Sequence, residues 1–422
     1  EWRIAVLNGA VFSERTAEMI ERKFLAEGKN RYNIYFRRNK RMKKKVISMM
    51  MAGAMVVSMT ACGGSDSGST TAAAGSSAAA ETTVAAADTT AAAADSSEAK
   101  NDADAYTNLE PVELILADSA AKGAAGSEFD LLLSEKVGEI TGGKLTIDAH
   151  VNGDLGNDTD ILRQMQSGDI DMVGSQVAPI VSFVPEIAIF DLPMVFATVD
   201  GDTIDQVLNG DSDTHKALNA AFENAGFHLL GFLQNATFRL TTSNSNLEKL
   251  EDFKGLQIRT MENSNHMAFW TAIGAEPTPL AWAEVYFALQ SGTITAEENA
   301  ADTVVGANLN EVQKYLAETN HILYVNQISI NKDSWDALDP AYQAALEQAV
   351  TEAIAEMREQ LIMIDADNKQ LLQDNGMILI TYDKSFYEEV LAIDGVKELY
   401  SQIDTDTNGL ASTLQKELGV NQ

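Results

Sequence analysis

Two runs decide how this chain is read: residues 250–263, LEDFKGLQIRTMEN, and residues 273–299, IGAEPTPLAWAEVYFALQSGTITAEEN. The pattern predicts a short polar helix ending at Gly255, then a strand over Leu256–Met261 that carries one arginine, Arg259. Two amphipathic helices follow, each closed by a glycine (Gly274, Gly292), and then a short strand ending Glu298-Asn299. Side chains alternate across a strand, so Arg259 faces away from Leu256 and Ile258. An arginine placed there either pairs with an acid of the protein or awaits an acid from outside.

The surrounding chain bears on that choice. Its 422 residues, 45% hydrophobic and 22% charged, suffice for two lobes with real cores. The formal charge of -32 is unevenly spread. Residues 1–62 hold 13 Lys+Arg and 5 Asp+Glu, leaving 17 basic against 57 acidic residues in the other 360, a net near -40. That field repels nucleic acid and anionic lipid headgroups. One cysteine, Cys62, excludes an internal disulfide.

Residues 1–41 are basic and match no domain pattern; they read as an upstream extension, with Met42 as the native start. Lys43, Lys44 and Lys45 form a positive leader, followed by the apolar run Val46–Ala61, short for a helix crossing roughly 30 Å of hydrocarbon. The run closes Met59-Thr60-Ala61-Cys62-Gly63-Gly64, so residues 42–62 resemble a bacterial lipoprotein signal with Cys62 as the lipidated residue. Met59 stands where such signals usually carry leucine. Residues 63–105, mostly Ala, Ser, Thr, Gly and Asp, bury too little apolar surface to offset ordering entropy and read as a disordered tether.

From Tyr106 onward strands and helices alternate. Strands are predicted at Val112–Leu116, Lys144–His150, Ile170–Gly174, His228–Leu233 and Thr237–Thr242, with helices at Phe129–Ile140 and Asp158–Ser167. This is α/β patterning and predicts a mostly parallel sheet. Asp339-Pro340 opens the longest periodic segment, with Leu346, Val350, Ile354, Met357, Leu361 and Ile364 on one stripe and no breaker before Gly376. Such a helix, roughly 54 Å long, spans two lobes; a bend near Asp365–Asn368 is the alternative. A last strand is expected at Met377–Tyr382.

Arginine is scarce in the body: after residue 62 there are four, Arg163, Arg239, Arg259 and Arg358. Arg163 follows Asp160 by one helical turn and reads as half of a surface ion pair. Arg358 reads as solvated. Arg239 and Arg259 are each mid-strand between apolar neighbours, and their strands, close in sequence, are expected to be neighbours in a sheet. A guanidinium matches a carboxylate through two parallel hydrogen bonds, so both are candidates for holding an acid; neutralisation by Glu or Asp side chains is the alternative. Other constellations carry less. Asp404–Gly409 starts like a calcium loop but has Gln415 at its twelfth position. Glu297 and Glu298, adjacent on a strand, point to opposite faces and make a poor acid/base pair. The five histidines show no metal spacing and no serine lies in a nucleophile elbow, so no metal, cofactor or catalytic residue is expected.

Nine pieces in order resemble the solute-binding subunits of tripartite ATP-independent periplasmic (TRAP) transporters, of the dicarboxylate- and sialic-acid-binding type. They are TGGKL (141–145), GDLGND (153–158), GDIDM (168–172), FDLPMVF (190–196), FRLTTSN (238–244), FKGLQIR (253–259), IGAEPTPLAWAEVYFALQSG (273–292), EEN (297–299) and EVQKYLAETNH (311–321). The resemblance implies a two-lobe periplasmic-binding-protein-like α/β fold, each lobe a central sheet flanked by helices. It places 106–236 with 325–364 in one lobe and 237–324 with 365–422 in the other. It implies that Arg259 clamps the ligand carboxylate, that Arg239 assists, that Asn299 contacts the same carboxylate, and that Gln176 lines the cleft. Trp282 stands where the family has phenylalanine, to stack on the ligand or pack in the core. The family's Asp-Gly before the Gln-Glu-Asn run is Thr295-Ala296 here, which opens the question of the local backbone. The implied function is capture of a small organic acid outside the cytoplasm and its delivery to membrane permease subunits driven by an ion gradient. The alternatives are a ligand-binding part of a sensory system and an extracytoplasmic enzyme acting on sugar acids.

Overall fold

The computed structural model describes residues 103–420, together with the backbone of two short strands, Ile4–Leu7 and Ala10–Ser13. The expected leader with Cys62 lies outside the described residues, as does nearly all of the extension 1–41 and of the tether 63–105. The elements numbered below belong to 103–420.

The first sheet has five strands: β1 (Val112–Ala117), β2 (Leu145–His150), β3 (Met172–Gln176), β4 (Phe227–Leu233) and, later in the chain, Asn326–Asn331. Helices α1 (Ala125–Ile140), α2 (Asp158–Ser167), α3 (Gly201–Asn209) and α4 (Asp213–Asn224) connect and cover them. The second sheet begins with β5 (Leu240–Ser243), β6 (Gln257–Thr260), β7 (Glu276–Pro279), β8 (Ala296–Asn299) and β9 (Tyr315–Ala317). Its helices are α5 (Ser264–Ala272), α6 (Trp282–Ser291) and α7 (Ala301–Gly306). The chain then returns to the first sheet as β10 (Asn326–Asn331), followed by α8 (Lys332–Ala337) and α9 (Pro340–Asp374). It ends with β11 (Ile378–Ile380), α10 (Lys384–Ala392), α11 (Asp394–Asp406) and α12 (Leu410–Glu417).

Strand order is β2-β1-β3-β10-β4 in the first sheet and β11-β9-β5-β8-β6-β7 in the second. The expectation of a mostly parallel sheet holds with one exception: β2, β1, β3 and β4 share a direction and β10 alone opposes them. β1 runs parallel to β2 and β3, but β10 is antiparallel to both β3 and β4. The reason is topological: the chain leaves for the second lobe through β4 and comes back through β10, so the two must run oppositely. The crossing segments pair with each other, through an antiparallel bridge Phe238–Leu323 and hydrogen bonds from Arg239 N to Ile322 O (2.9 Å) and Tyr324 N to Thr237 O (2.9 Å).

β7, EPTP, escaped the sequence reading because it holds two prolines. It lies at the sheet edge, paired on one side with β6, where a missing N–H is tolerated. The departure Thr295-Ala296 also resolves: neither residue takes a positive φ, and Ala296 is fully buried at the start of β8. The backbone here needs no glycine.

Helix α9 runs 35 residues without a break, about 52 Å at 1.5 Å per residue. Asp339 caps it by accepting from Ala341 N at 2.9 Å, and Pro340 supplies the preset first turn. Leu346, Val350 and Leu361 pack with α1 in the core of the first lobe, whereas Leu372 is buried with Leu240, Leu289 and Leu316 in the second. One helix therefore pins both lobes. The segment 365–422 is not confined to the second lobe as expected. α12 lies on α4, where the Glu417 carboxylate accepts from Asp213 N (2.9 Å) and the Thr214 hydroxyl (2.5 Å). Helix N-termini expose unpaired amides, and a carboxylate is their natural partner. Asp404–Gly409, the weak calcium-like run, is the end of α11 and the turn into α12, with Asp404 accepting from Ser412 N at 2.8 Å.

Candidate functional site

The carboxyl ends of strands from both sheets converge on one cleft, enclosing about 450 Å³ of free space that is partly open to solvent. This is where open α/β sheets place ligands, because the loops leaving those ends can diverge around a molecule. From the first lobe come Asp118 and Ser119 after β1, Gln176 at the end of β3 and Asp158 at the start of α2. From the second come Arg259 in β6, Asn299 at the end of β8 and Trp282 at the start of α6.

Arg259 is 2% exposed. Its Nε and Nη2 both donate to the Leu280 carbonyl, at 2.9 and 2.8 Å, so the residue leaving the edge strand β7 orients the guanidinium. Its Nη1 is buried with no partner. The Trp282 ring centroid lies 5.6 Å from the guanidinium carbon, a cation–π contact that leaves this half-buried ring on the cleft wall. Burial pulls the Arg259 guanidinium below its ordinary value, and Glu297 and Glu298 push back. An arginine nevertheless keeps its charge. A buried cation that lines a cleft and keeps an unused donor can take a carboxylate end-on through Nη1 and the free hydrogen of Nη2.

Arg239 fares differently. The strands of the two arginines were expected to be neighbours; β8 lies between them, antiparallel to β5 and parallel to β6. Its insertion brings Glu298 to Arg239, which precedes β5 rather than lying mid-strand. Arg239 Nη2 donates to Glu298 Oε1 (2.9 Å) and to the Glu298 carbonyl (2.8 Å), and Nε donates to Oε2. Its Nη1 donates to Gln176 Oε1. This is the neutralised alternative. Arg239 is not on the cleft wall; it reaches the cleft through Gln176. Burial would raise Glu298, but Arg239 and His321 overcome it and hold the carboxyl well below the usual range. Burial also keeps His321 below its ordinary value, hence neutral: Nε2 donates to Glu298 (3.1 Å) and Nδ1 accepts from the Thr319 hydroxyl (2.9 Å). The adjacent Glu297 belongs to another environment. It accepts from the Thr242 hydroxyl at 3.2 Å, its Oε2 has no partner, and burial together with Glu298 pushes it up to about 7.

The structure thus brings Arg259, Asn299, Trp282 and Gln176 to one cleft and leaves Arg239 behind it. Asn299 is 2% exposed, its Oδ1 accepting from Ala300 N at 3.1 Å. The other two arginines are also settled. Arg358 is anchored rather than solvated, on Asp202 and Asp205 of α3 at 2.9 Å each. Arg163 is exposed, and Asp160 is held instead by Asn157 Nδ2 at 2.7 Å.

Sequence reasoning missed Asp118 and Asp158. Asp118 directly follows the apolar run of β1, and Asp158 ends the GDLGND piece; an acid at a strand's carboxyl end or a helix start beside a cleft was the available signal. Burial pushes Asp118 up to about 7. Behind it Asp130, on α1, is raised well above its ordinary value by burial and by the neighbouring Asp118. Gly174 makes the room: a Cβ there would collide with the Asp130 carboxyl. The lobes touch at the cleft rim, where the Thr159 hydroxyl donates to Glu262 (2.7 Å) and Ala125 N donates to Asp302 Oδ2 (2.8 Å). Among the described residues no group of three or more His, Cys, Asp or Glu could hold a metal ion.

Comparison with known proteins agrees with this geometry. The family described as bacterial extracellular solute-binding protein, family 7, matches residues 118–403. A solute-binding protein of Verminephrobacter eiseniae is 30% identical over 291 residues, covering 69% of this chain and 84% of its own length. The 2,3-diketo-L-gulonate-binding periplasmic protein of Escherichia coli is 31% identical over 271 residues, 63% of this chain and 79% of its own. A TRAP periplasmic solute-binding protein of Desulfovibrio salexigens, solved with bound orotic acid, superposes with a TM-score of 0.69 at 22% identity, over 73% of this chain and 98% of that one.

Proposed function

The chain belongs to family 7 of the bacterial extracellular solute-binding proteins, and from that premise we propose that its cleft captures a small organic acid by the carboxylate and that Arg259 is the clamp. One observation carries this reading: a fully buried guanidinium, fixed by the Leu280 carbonyl, keeps Nη1 without a partner at the wall of the cleft. Leaving such a donor unpaired in a low dielectric is costly, and a carboxylate arriving from solvent removes the cost. Asn299 adds a polar contact beside it, and Trp282 closes over the guanidinium. Arg239 acts through Gln176, holding that side chain at the cleft floor. The relatives support the chemistry. One is named for a keto sugar acid and a structural neighbour holds orotic acid, and what these ligands share is a carboxylate.

The family acts outside the cytoplasm in transport, without turnover of its solutes. In this reading the loaded protein docks on the membrane subunits of a TRAP transporter, tethered by residues 63–105 to a lipid on Cys62. The test is a thermal-shift screen of organic acids against the purified protein and its Arg259→Ala variant. The expected result is stabilisation of the wild type by at least one carboxylate and its loss in the variant, whose unliganded melting temperature stays within a few degrees. Equal stabilisation of both proteins would remove Arg259 from the site. Radiolabelled palmitate incorporation into the wild type but not into Cys62→Ser tests the anchor.

A further inference from the structure

We propose that the acid taken by this cleft is a monocarboxylate whose far end donates hydrogen bonds, through hydroxyl or ammonium groups, and not a dicarboxylate. The inference rests on the Arg259 clamp and adds what faces it. Arg259 is the one cation among the described residues that line the cleft. Across from it the first lobe presents two acidic side chains, Asp118 and Asp158, both raised by burial and neither within ion-pair distance of a Lys or Arg among the described residues. Asp118 Oδ1 accepts from Ala120 N at 2.8 Å, and Asp158 Oδ1 accepts from the Ser119 hydroxyl at 2.6 Å. Each carboxylate keeps acceptor capacity beyond these single bonds, and acceptors call for donors.

Two helix N-termini also reach the cleft and could have served a second anion. Each already has a polar side chain of the protein on it. At α1, the Ala125 amide donates to Asp302 Oδ2. At α2, Asp158 and Asp160 occupy the first turn and Asn157 caps it. A second ligand carboxylate would therefore lie beside Asp118 and Asp158 with no cation, at helix ends that already carry acidic or capping side chains. A hydroxyl there finds acceptors, and an ammonium finds countercharge.

Isothermal calorimetry on the full chain tests this with pairs that differ at one end: D-gluconate against D-glucarate, and 4-aminobutyrate against succinate. The expected result is at least tenfold tighter binding of the monocarboxylate in any pair that binds, with the difference reduced to threefold or less in Asp158→Asn. Gluconate alone binding assigns hydroxyl donors, and 4-aminobutyrate alone an ammonium; both support the inference. Tighter binding of glucarate or succinate, abolished by Arg259→Ala, overturns this inference and leaves the clamp intact. Binding of the monocarboxylates that survives Arg259→Ala overturns the clamp. No binding by any member of a broad panel of mono- and dicarboxylates overturns both.

Discussion

Replacing Arg259 by lysine keeps the charge and removes the geometry, so it separates a fork from a point cation. In the wild type two of the guanidinium nitrogens hold the Leu280 carbonyl, at 2.9 and 2.8 Å, while Nη1 stays unpartnered at the cleft. The planar group does both at once because its donors point in fixed, diverging directions. A lysine ammonium cannot hold Leu280 O and present two parallel donors. If it reaches the ligand it forfeits one of two charge-assisted bonds, about 2 kcal/mol; if it settles on Leu280 O it forfeits both, about 4 kcal/mol. At 1.4 kcal/mol per tenfold, affinity falls by roughly 30-fold in the first case and roughly 1,000-fold in the second. The assay is calorimetric titration of the acid that most stabilises the wild type, with circular dichroism melts of both unliganded proteins to show that the fold is kept. An Arg259→Lys affinity within threefold of wild type would refute the reasoning, because a point charge would then suffice.

Arg239→Met leaves Glu298 buried without its cation, so urea unfolding is expected to show a loss of about 3–5 kcal/mol, with at least half regained in Arg239→Met/Glu298→Met. Glu297 offers a pH test. Its folded-state value of about 7 lies above the ordinary 4.5, so the folded state binds the proton more tightly and this group's stabilisation is present below pH 4.5 and lost as pH rises through 7. Glu297→Gln removes that loss and is expected to be more stable than wild type at pH 8 by up to about 3 kcal/mol, and no more stable at pH 4, in denaturant titrations at the two pH values. Gly174→Ala drives a methyl into the Asp130 carboxyl and is expected to cost about 3 kcal/mol in the same assay. Gly138→Ala, which meets nothing and lies within α1, should instead stabilise by up to about 1 kcal/mol.

Elements whose signals are local were legible in the sequence. α2 spans Asp158–Ser167 as expected because Asn157 caps its start and Gly168 ends it with a φ of 79°. α9 begins at Pro340 because the Asp-Pro pair fixes a start by itself. What depended on distant pairing was not legible. No local feature of Leu240–Ser243 or Gln257–Thr260 says that a strand some forty residues later will lie between them. The same holds for the cleft. Arg259 could be singled out by scarcity and position, whereas Asp118 and Asp158 are two acids among 62 and acquire meaning only opposite a buried cation.

The inserted strand explains why two similar arginines have different fates. β8 carries Glu297 opposite Arg259 and Glu298 opposite Thr241, next to Arg239. Successive residues of a strand face opposite sides. Glu298 therefore turns to Arg239, where His321 adds a donor and the pair is closed off from solvent. Glu297 turns to the other face, where burial pushes it up to about 7 and its one side-chain bond is from the Thr242 hydroxyl, so it does not quench Arg259 by direct contact. A carboxylate bonded to Arg259 would occupy the fork; Glu297 nearby only offsets part of the desolvation of the cation. The hinge strands thus lock one arginine into the crossing between lobes and leave the other charged, oriented and unpaired. An exposed contact such as Thr159–Glu262 is worth only about 1 kcal/mol, whereas Asp191 of the first lobe is bonded by Asn263, Asn265 and His266 of the second in largely buried contacts. An acid that fills the fork of Arg259 adds its charge-assisted bonds to these contacts when the lobes close around it.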